Sequence, residues 1–173
     1  NTSRIFAEVC YDVEALAHPT TKQQKKAVFA IPSGNIGKLT AGLIAKVIGL
    51  PVKRFIAATN SNDTVPRFLH EHIWNPHQTQ ATLSNAMDVS NPNNWPRIQH
   101  FLDVGLINKA DMMAEAVTEQ ETIKTVQSLD SLGYLSEPHA AVAYFALQQN
   151  LQDGEFGVFL GTAHPAKFQE SVQ

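Results

Sequence analysis

Short apolar runs bounded by turn residues predict three buried strands in this chain. They lie at residues 28–31, 53–59 and 156–160, and they are rich in Val, Ile, Phe and Ala. Runs of this length with little polar alternation are typical of strands that are buried on both faces of a sheet. The chain is therefore expected to contain a sheet that is covered on both sides.

Apolar residues at three- and four-residue spacing predict the helices that provide this cover. Leu39, Leu43 and Val47 mark one helix face, and Gly49 ends that helix. Further helices are predicted at 3–17, 65–72, 118–132 and 137–149. Residues 73–96 show no steady period and are predicted to form loops with at most short helical pieces such as 82–87. A strand, helix, strand order of this length implies parallel pairing. We predict a single α/β region over residues 1–173, with a parallel sheet flanked by helices.

Composition narrows the range of partners. The chain has 173 residues, of which 43% are hydrophobic, and a formal net charge of −3. Because there is no basic surplus to neutralise a phosphate backbone, nucleic acid is not an expected partner. No apolar stretch approaches the length of a membrane span, and the single cysteine, Cys10, cannot form an internal disulfide. We expect a protein of the reducing cytoplasm with no membrane partner.

The turn after the first predicted strand has the strongest chemical pattern. It consists of Ser33, Gly34, Asn35, Ile36 and Gly37, between a strand and a helix. Such a turn directs backbone N–H groups and the positive end of the helix toward one point, where an anion can bind. The glycines let a ligand approach the backbone, and Ser33 and Asn35 are expected to add side-chain donors. Taken alone, the pattern fits a purely structural glycine turn equally well.

Other motifs fit the chain less well. Two residues separate Gly34 from Gly37, whereas a Walker loop needs four between its glycines, and the dinucleotide pattern G-x-G-x-x-G is missing. His70 and His72 are two residues apart, which places them on different helix faces, so no metal site is predicted. Thr162 follows a predicted strand at the edge where α/β sheets bind ligands, and its hydroxyl is expected to face a crevice.

Seven segments, in order along the chain, resemble the bacterial and fungal threonine synthases. They are residues 32–42, 49–60, 62–68, 81–88, 92–96, 136–141 and 161–168. They cover nearly the whole chain, and long strings in a fixed order are far more specific than one glycine turn. The resemblance implies part of a fold type II pyridoxal-phosphate enzyme, a monomer that makes threonine from O-phosphohomoserine and holds its cofactor through a lysine.

The resemblance also implies roles for individual residues. The loop 33–37 corresponds to the site of the cofactor phosphate, and Thr162 to the hydroxyl that faces the pyridine nitrogen. Asn1 and Arg4 resemble positions that grip the phosphate or carboxylate of the substrate, for which a bidentate arginine is suited. Glu137 resembles a residue near the cofactor face.

The chain departs from the family pattern in two respects. Ile36 and Lys38 stand where the family usually has Phe and then Asp or another acceptor. No lysine here matches the setting of the Schiff-base lysine, which lies in the preceding half of the family's chain. The first residue, Asn1, is not methionine and a helical pattern starts almost at once, so the chain is expected to begin within a longer protein. We predict that the chain alone is catalytically inactive.

Two alternatives stay open. A serine or threonine dehydratase or a cysteine synthase has the same cofactor fold, although the Thr-Ala-His-Pro turn at 162–165 and the Asn-Asn-Trp-Pro string at 93–96 favour threonine synthase. The other alternative is a non-catalytic α/β module that binds a phosphorylated small molecule or a partner protein. A complete gene starting near Asn1 would favour that module.

Overall fold

The computed structural model describes residues 8–9, 14–16 and 20–162, and within them a sheet of four parallel strands is the central element. The strands are β1 (Ala27–Pro32), β2 (Val52–Thr59), β3 (Met112–Ala116) and β4 (Phe156–Phe159). Their order is β3-β2-β1-β4, so β1 and β2 are central. Every neighbouring pair is parallel, which confirms the predicted pairing.

Helices cover both faces of this sheet. They are α1 (Thr21–Gln24), α2 (Gly37–Val47), α3 (Thr64–Glu71), α4 (Trp95–Asp103), α5 (Glu119–Ser131) and α6 (Pro138–Asn150), with 3₁₀ helices at Asn85–Met87 and Lys109–Asp111. On one face, Phe29 of β1 shares a core with Leu43 of α2 and Ile98 of α4. On the other face, Val28 packs in a second core with Val142 of α6. Among the described residues, no helix is long and apolar enough to cross a membrane.

Most of the predicted elements are confirmed, with boundaries that differ by a residue or two. Strand β4 was predicted to be buried, but it is half-buried along its length because it lies at an edge of the described sheet. The helix after the glycine turn begins at Gly37, and α6 begins at Pro138. The Thr118 side chain caps α5 by accepting from the N–H of Glu121, as its capping-box pattern predicted. The predicted helix at 3–17 lies largely outside the described residues.

Several elements were not predicted, among them the short helix α1 and the 3₁₀ helix Lys109–Asp111. Strand β3 is half-buried except at Met112, because it lies at the edge of the sheet, and its sequence has no long apolar run. Helix α4 begins at Trp95, inside the stretch that was predicted to form loops through residue 96. Pro96 lies in its first turn, where the missing N–H of proline is tolerated, so this proline marks a helix start and not a loop.

An ion pair joins β2 to the start of β4 at the amino edge of the sheet. Arg54 Nη2 donates to Glu155 Oε2 over 2.8 Å, and Arg54 Nη1 contacts Glu155 Oε1. Lys53 Nζ lies 2.6 Å from Glu155 Oε1. The Glu155 side chain is only 4% exposed, and the hydrogen bonds from Arg54 and Lys53 lower its pKa to about 2.

Candidate anion-binding site at the carboxyl edge of the sheet

The carboxyl ends of the parallel strands meet at one edge of the sheet, and predicted site residues follow two of these strands. The loop 33–37 follows β1, and Thr162 comes shortly after the end of β4. Ala30 of β1 pairs with Phe159 of β4, and the N–H of Leu160 donates to the Ala30 carbonyl over 3.1 Å. The glycine loop and Thr162 therefore leave neighbouring strands at the same level.

Ile36 is the N-cap residue of α2 and has the left-handed backbone conformation, with φ 49° and ψ 24°. A β-branched residue rarely adopts this conformation, and strain of this kind is often found at functional sites. The Ile36 side chain is 2% exposed, so packing holds it in place.

The amino end of α2 begins with backbone donors. The side chain of its N-cap residue, Ile36, does not cap it, and no acidic residue lies in its first turn, although the carboxylate of Glu8 lies beside Gly37. The N–H of Thr40 is the first to donate within the helix, to the carbonyl of Ile36 over 3.0 Å, so the amides before it have no acceptor in the helix. A helix end of this kind binds an anion through its backbone donors and its positive dipole.

Ser33 does not offer the side-chain donor that the sequence predicted. Its hydroxyl donates to the carbonyl of Ile31 over 2.8 Å, and its N–H donates to the carbonyl of Ala58 over 2.8 Å. The residue is buried. Because both donors are engaged by the adjacent strands, Ser33 shapes the loop and the expectation of a free hydroxyl is corrected.

Asn35 is exposed and connects the loop to residues 93 and 94. Its Oδ1 accepts from the N–H of Asn93 over 2.6 Å, and its backbone carbonyl accepts from Asn94 Nδ2 over 2.7 Å. The contact with Asn93 fixes the orientation of the Asn35 amide. Within the part of the chain that the structure describes, Asn35 Nδ2 has no acceptor, so this donor is available to a ligand.

Gly34 and Gly37 differ in their surroundings. A Cβ at Gly34 would lie 2.7 Å from Met87 Cα, a distance that a real side chain cannot adopt. A Cβ at Gly37 would have only ordinary contacts, at 3.6 Å from Asn94 Nδ2 and from Glu8 Oε2. Gly34 is therefore required by packing, whereas Gly37 is not.

Thr162 and Glu137 lie next to each other. Thr162 is exposed, and its hydroxyl donates to Glu137 Oε1 over 3.5 Å. Glu137 is buried at the N-cap of α6, where Oε1 accepts from the N–H of Ala140 over 2.9 Å and Oε2 from the N–H of His139 over 2.7 Å. Burial raises the pKa of Glu137, but its hydrogen bonds with His139 and Ala140 lower the pKa by more, to below its ordinary value. Glu137 is thus an ionised carboxylate beside Thr162.

Sequence reasoning did not identify Asn60, Asn62 and Asp88 as a connected group. Asn60 Nδ2 donates to Asp88 Oδ1 over 2.8 Å, directly after the carboxyl end of β2. The local signal was limited to the frequent Asn, Ser and Asp residues at 60–63 and within the irregular stretch 73–96.

Asn1 and Arg4, which were predicted to contact the substrate, lie outside the described residues.

Comparisons with known proteins identify the family. The chain is 57% identical, over all 173 of its residues, to the threonine synthases of Serratia marcescens and Escherichia coli strain K12. The crystal structure of the Escherichia coli threonine synthase matches 99% of this chain and 40% of its own, with a TM-score of 0.96 and 57% identity. The chain belongs to the threonine synthase family. It spans about 40% of the length of the threonine synthases that it matches.

More distant structures agree on the fold. A PLP-bound threonine synthase from Brucella melitensis matches 98% of this chain and 42% of its own, with a TM-score of 0.87 and 28% identity. Maize serine racemase, with a TM-score of 0.67 and 12% identity over 96% of this chain and 52% of its own, has only the fold in common. The parallel sheet and its covering helices have the fold of fold type II pyridoxal-phosphate enzymes, as predicted. No protein-family model matches the chain.

Proposed function

We propose that the full-length protein containing this chain is a threonine synthase that converts O-phosphohomoserine and water to threonine and phosphate with pyridoxal phosphate as cofactor. This chain is proposed to hold the cofactor phosphate at the loop 33–37. The observation that carries the proposal is the amino end of α2, whose first amides have no acceptor in the helix and which directly follows that loop at the carboxyl edge of the sheet.

The donors at this helix end suit a phosphate dianion. Backbone N–H groups precede the first bonded turn of α2, Asn35 Nδ2 is a neutral donor, and the first turn contains Lys38 but no acidic residue. These groups favour negative charge. The Glu8 carboxylate, which lies beside Gly37, opposes it. When bound, pyridoxal phosphate supplies an electron sink for the reacting carbon atoms of the substrate.

Thr162 is proposed to bind the ring nitrogen of the cofactor. Its hydroxyl is exposed at the same edge of the sheet as the loop 33–37. Because this hydroxyl donates to Glu137, its lone pairs remain to accept a hydrogen bond. A neutral hydroxyl holds a ring nitrogen protonated less firmly than a carboxylate does. Glu137 is therefore proposed to orient Thr162 and not to contact the ligand itself.

Other parts of the reaction are proposed to depend on residues that the structure does not describe. Asn1 and Arg4 are proposed to grip the phosphate or carboxylate of the substrate. The Schiff-base lysine is proposed to lie outside this chain, so the chain alone is proposed to be inactive. The full-length enzyme is proposed to be a cytoplasmic monomer.

An assay of the full-length protein tests the function. With pyridoxal phosphate present, we expect equimolar threonine and phosphate from O-phosphohomoserine, and no ammonia from serine. Ammonia from serine without threonine from O-phosphohomoserine would favour a dehydratase. If neither reaction occurs but inorganic phosphate still binds, the non-catalytic module is the better interpretation.

The 173-residue polypeptide tests the proposed inactivity. After addition of pyridoxal phosphate, we expect no threonine formation and no visible absorbance that survives dialysis. Dialysis-stable absorbance that hydroxylamine removes would show a covalently bound cofactor and would contradict the proposal.

A further inference from the structure

A cluster of polar side chains fixes the irregular segment that lies on the glycine loop. We call it the Asp88 cluster, and its members are Asn60, Asn62, Thr82, Ser84, Asp88 and Ser90. Four of the six residues are buried. Asn60 follows β2 directly, so the cluster attaches an irregular stretch to the carboxyl end of a central strand.

Asp88 is the main acceptor of the cluster. Its Oδ1 accepts from Thr82 Oγ1 over 2.7 Å, from Asn60 Nδ2 over 2.8 Å and from Asn62 Nδ2 over 3.3 Å. Its Oδ2 accepts from the N–H of Thr82 over 2.9 Å. All of these donors are neutral, and both carboxylate oxygens are used. An asparagine at this position would have only one oxygen to offer them.

Asn62 holds the two ends of the same segment. Its side-chain amide donates to the carbonyl of Gln80 over 2.9 Å and accepts from the N–H of Gln80 over 2.9 Å. Asn62 Oδ1 also accepts from the hydroxyl of Ser90 over 3.0 Å. Both ends of segment 80–90 are therefore hydrogen-bonded to Asn62 in the turn after β2. Within the segment, the hydrogen bonds between Thr82 and Asp88 hold residues 82–88 as a closed loop.

The closed segment rests on the glycine loop. The 3₁₀ helix Asn85–Met87 ends directly before Asp88, and its Met87 Cα is the atom that excludes a side chain at Gly34. Gly34 belongs to the loop that leads into the amino end of α2. A displacement of Met87 therefore changes the position of the loop, because backbone packs directly on backbone.

We propose that Asp88 is a positioning residue for the phosphate-binding loop. By closing residues 82–88 through its two carboxylate oxygens, it keeps the Met87 backbone against Gly34 and holds the loop 33–37 in its anion-binding conformation. This inference rests on the proposed function, since it takes the ligand of the loop to be the cofactor phosphate.

The full-length Asp88→Asn variant tests the proposal. The substitution places an NH2 group among donors, so at least one donor of the cluster loses its acceptor. We expect the dissociation constants for pyridoxal phosphate and for inorganic phosphate to rise about tenfold, with faster amide hydrogen exchange in residues 33–37. The matched control, Asp130→Asn, makes the same change at an exposed position of α5 and is expected to bind both ligands like the unmodified protein.

A pair of substitutions at Thr82 separates positioning from folding. Thr82→Ser keeps the hydroxyl that donates to Asp88, whereas Thr82→Val removes it. We expect only the valine variant to lose ligand affinity, while the melting temperatures of the two unliganded variants stay similar. Equal affinity in the two variants would overturn the proposal, and this comparison decides the matter if Asp88→Asn does not fold.

A failure of this proposal can be told apart from a failure of the proposed function. Suppose that the unmodified protein binds pyridoxal phosphate and that Asn35→Asp weakens this binding. Unchanged binding in Asp88→Asn would then overturn the role of Asp88 alone. If the unmodified protein binds neither pyridoxal phosphate nor inorganic phosphate, the proposed function fails and the role of Asp88 fails with it.

Discussion

Gly34 and Met87 pack backbone to backbone, so closely that a Cβ at Gly34 would lie 2.7 Å from Met87 Cα. The contact joins the loop after β1 to a segment that is far away in the sequence. Backbone atoms cannot rotate aside as the end of a flexible side chain can. The spacing between these two residues therefore sets where the glycine loop lies.

Gly34→Ala is expected to force this contact apart. Because the added methyl group overpacks a buried contact, we expect the free energy of unfolding to fall by about 1–3 kcal/mol. Pyridoxal-phosphate binding is expected to weaken as well, and urea denaturation and cofactor titration of the full-length protein measure the two effects. Gly37→Ala is the control, since a Cβ there would have ordinary contacts and alanine favours a helix. A Gly34→Ala variant as stable as this control would contradict the packing argument.

Asn35→Asp is expected to weaken cofactor binding while the protein stays folded. The carboxylate can still accept from the N–H of Asn93, but it replaces the available Nδ2 donor with a negative charge. We expect a rise of about tenfold or more in the dissociation constant for pyridoxal phosphate, because like charges repel at the phosphate site. Gln127→Glu adds the same charge at an exposed position of α5 and serves as control. Unchanged affinity in Asn35→Asp would argue against this loop as the phosphate site.

Thr162→Val and Thr162→Ser test the hydroxyl at the end of β4. Valine has nearly the shape of threonine but no hydroxyl, whereas serine keeps it. We expect Thr162→Val to reduce the rate of threonine formation about 10- to 100-fold, as the loss of a hydrogen bond to a charged group would. Thr162→Ser is expected to remain close to the unmodified enzyme. If both variants react at the unmodified rate, Thr162 has no role at the cofactor.

Glu155→Gln is expected to destabilise the amino edge of the sheet. At pH 7 the loss of the carboxylate leaves the Arg54 guanidinium buried without its counter-charge, which lowers the free energy of unfolding by about 3 kcal/mol. The pKa of Glu155 in the folded protein, about 2, lies below its ordinary value of 4.5. Its contribution to stability is therefore complete above pH 4.5 and is lost as the pH falls toward 2.

Urea midpoints of the Glu155→Gln variant and the unmodified protein, compared at pH 7 and in the acid range, check this dependence. The difference in urea midpoint between the Glu155→Gln variant and the unmodified protein is expected to decrease as the pH falls. Asp153→Asn changes an exposed neighbouring residue, and its urea midpoint is expected to stay close to that of the unmodified protein at every pH. If the difference between Glu155→Gln and the unmodified protein stayed constant throughout the acid range, the Glu155 carboxylate would not be the stabilising group.

Residues close together in the chain were enough to predict the central strands and most helix starts. Strands β1 and β2 are buried at nearly every position, so their apolar runs could be identified without knowledge of neighbours. The capping box at Thr118 depends on residues three apart. Strand β3 was missed because an edge strand needs less apolar surface, and α4 because its start contains a proline.

The sequence by itself determined the strand, glycine turn, helix, strand order from β1 to β2, most of the other helices and the resemblance to the family, since each of these depends on residues that are adjacent or nearly so. Only the tertiary structure decided which donors the loop keeps for a ligand. The Ser33 hydroxyl is used by the backbone of Ile31, whereas Asn35 keeps one donor because Asn93 orients its amide. Contacts such as that between Gly34 and Met87 arise when distant segments pack at the same edge of the sheet, and no local pattern encodes that packing.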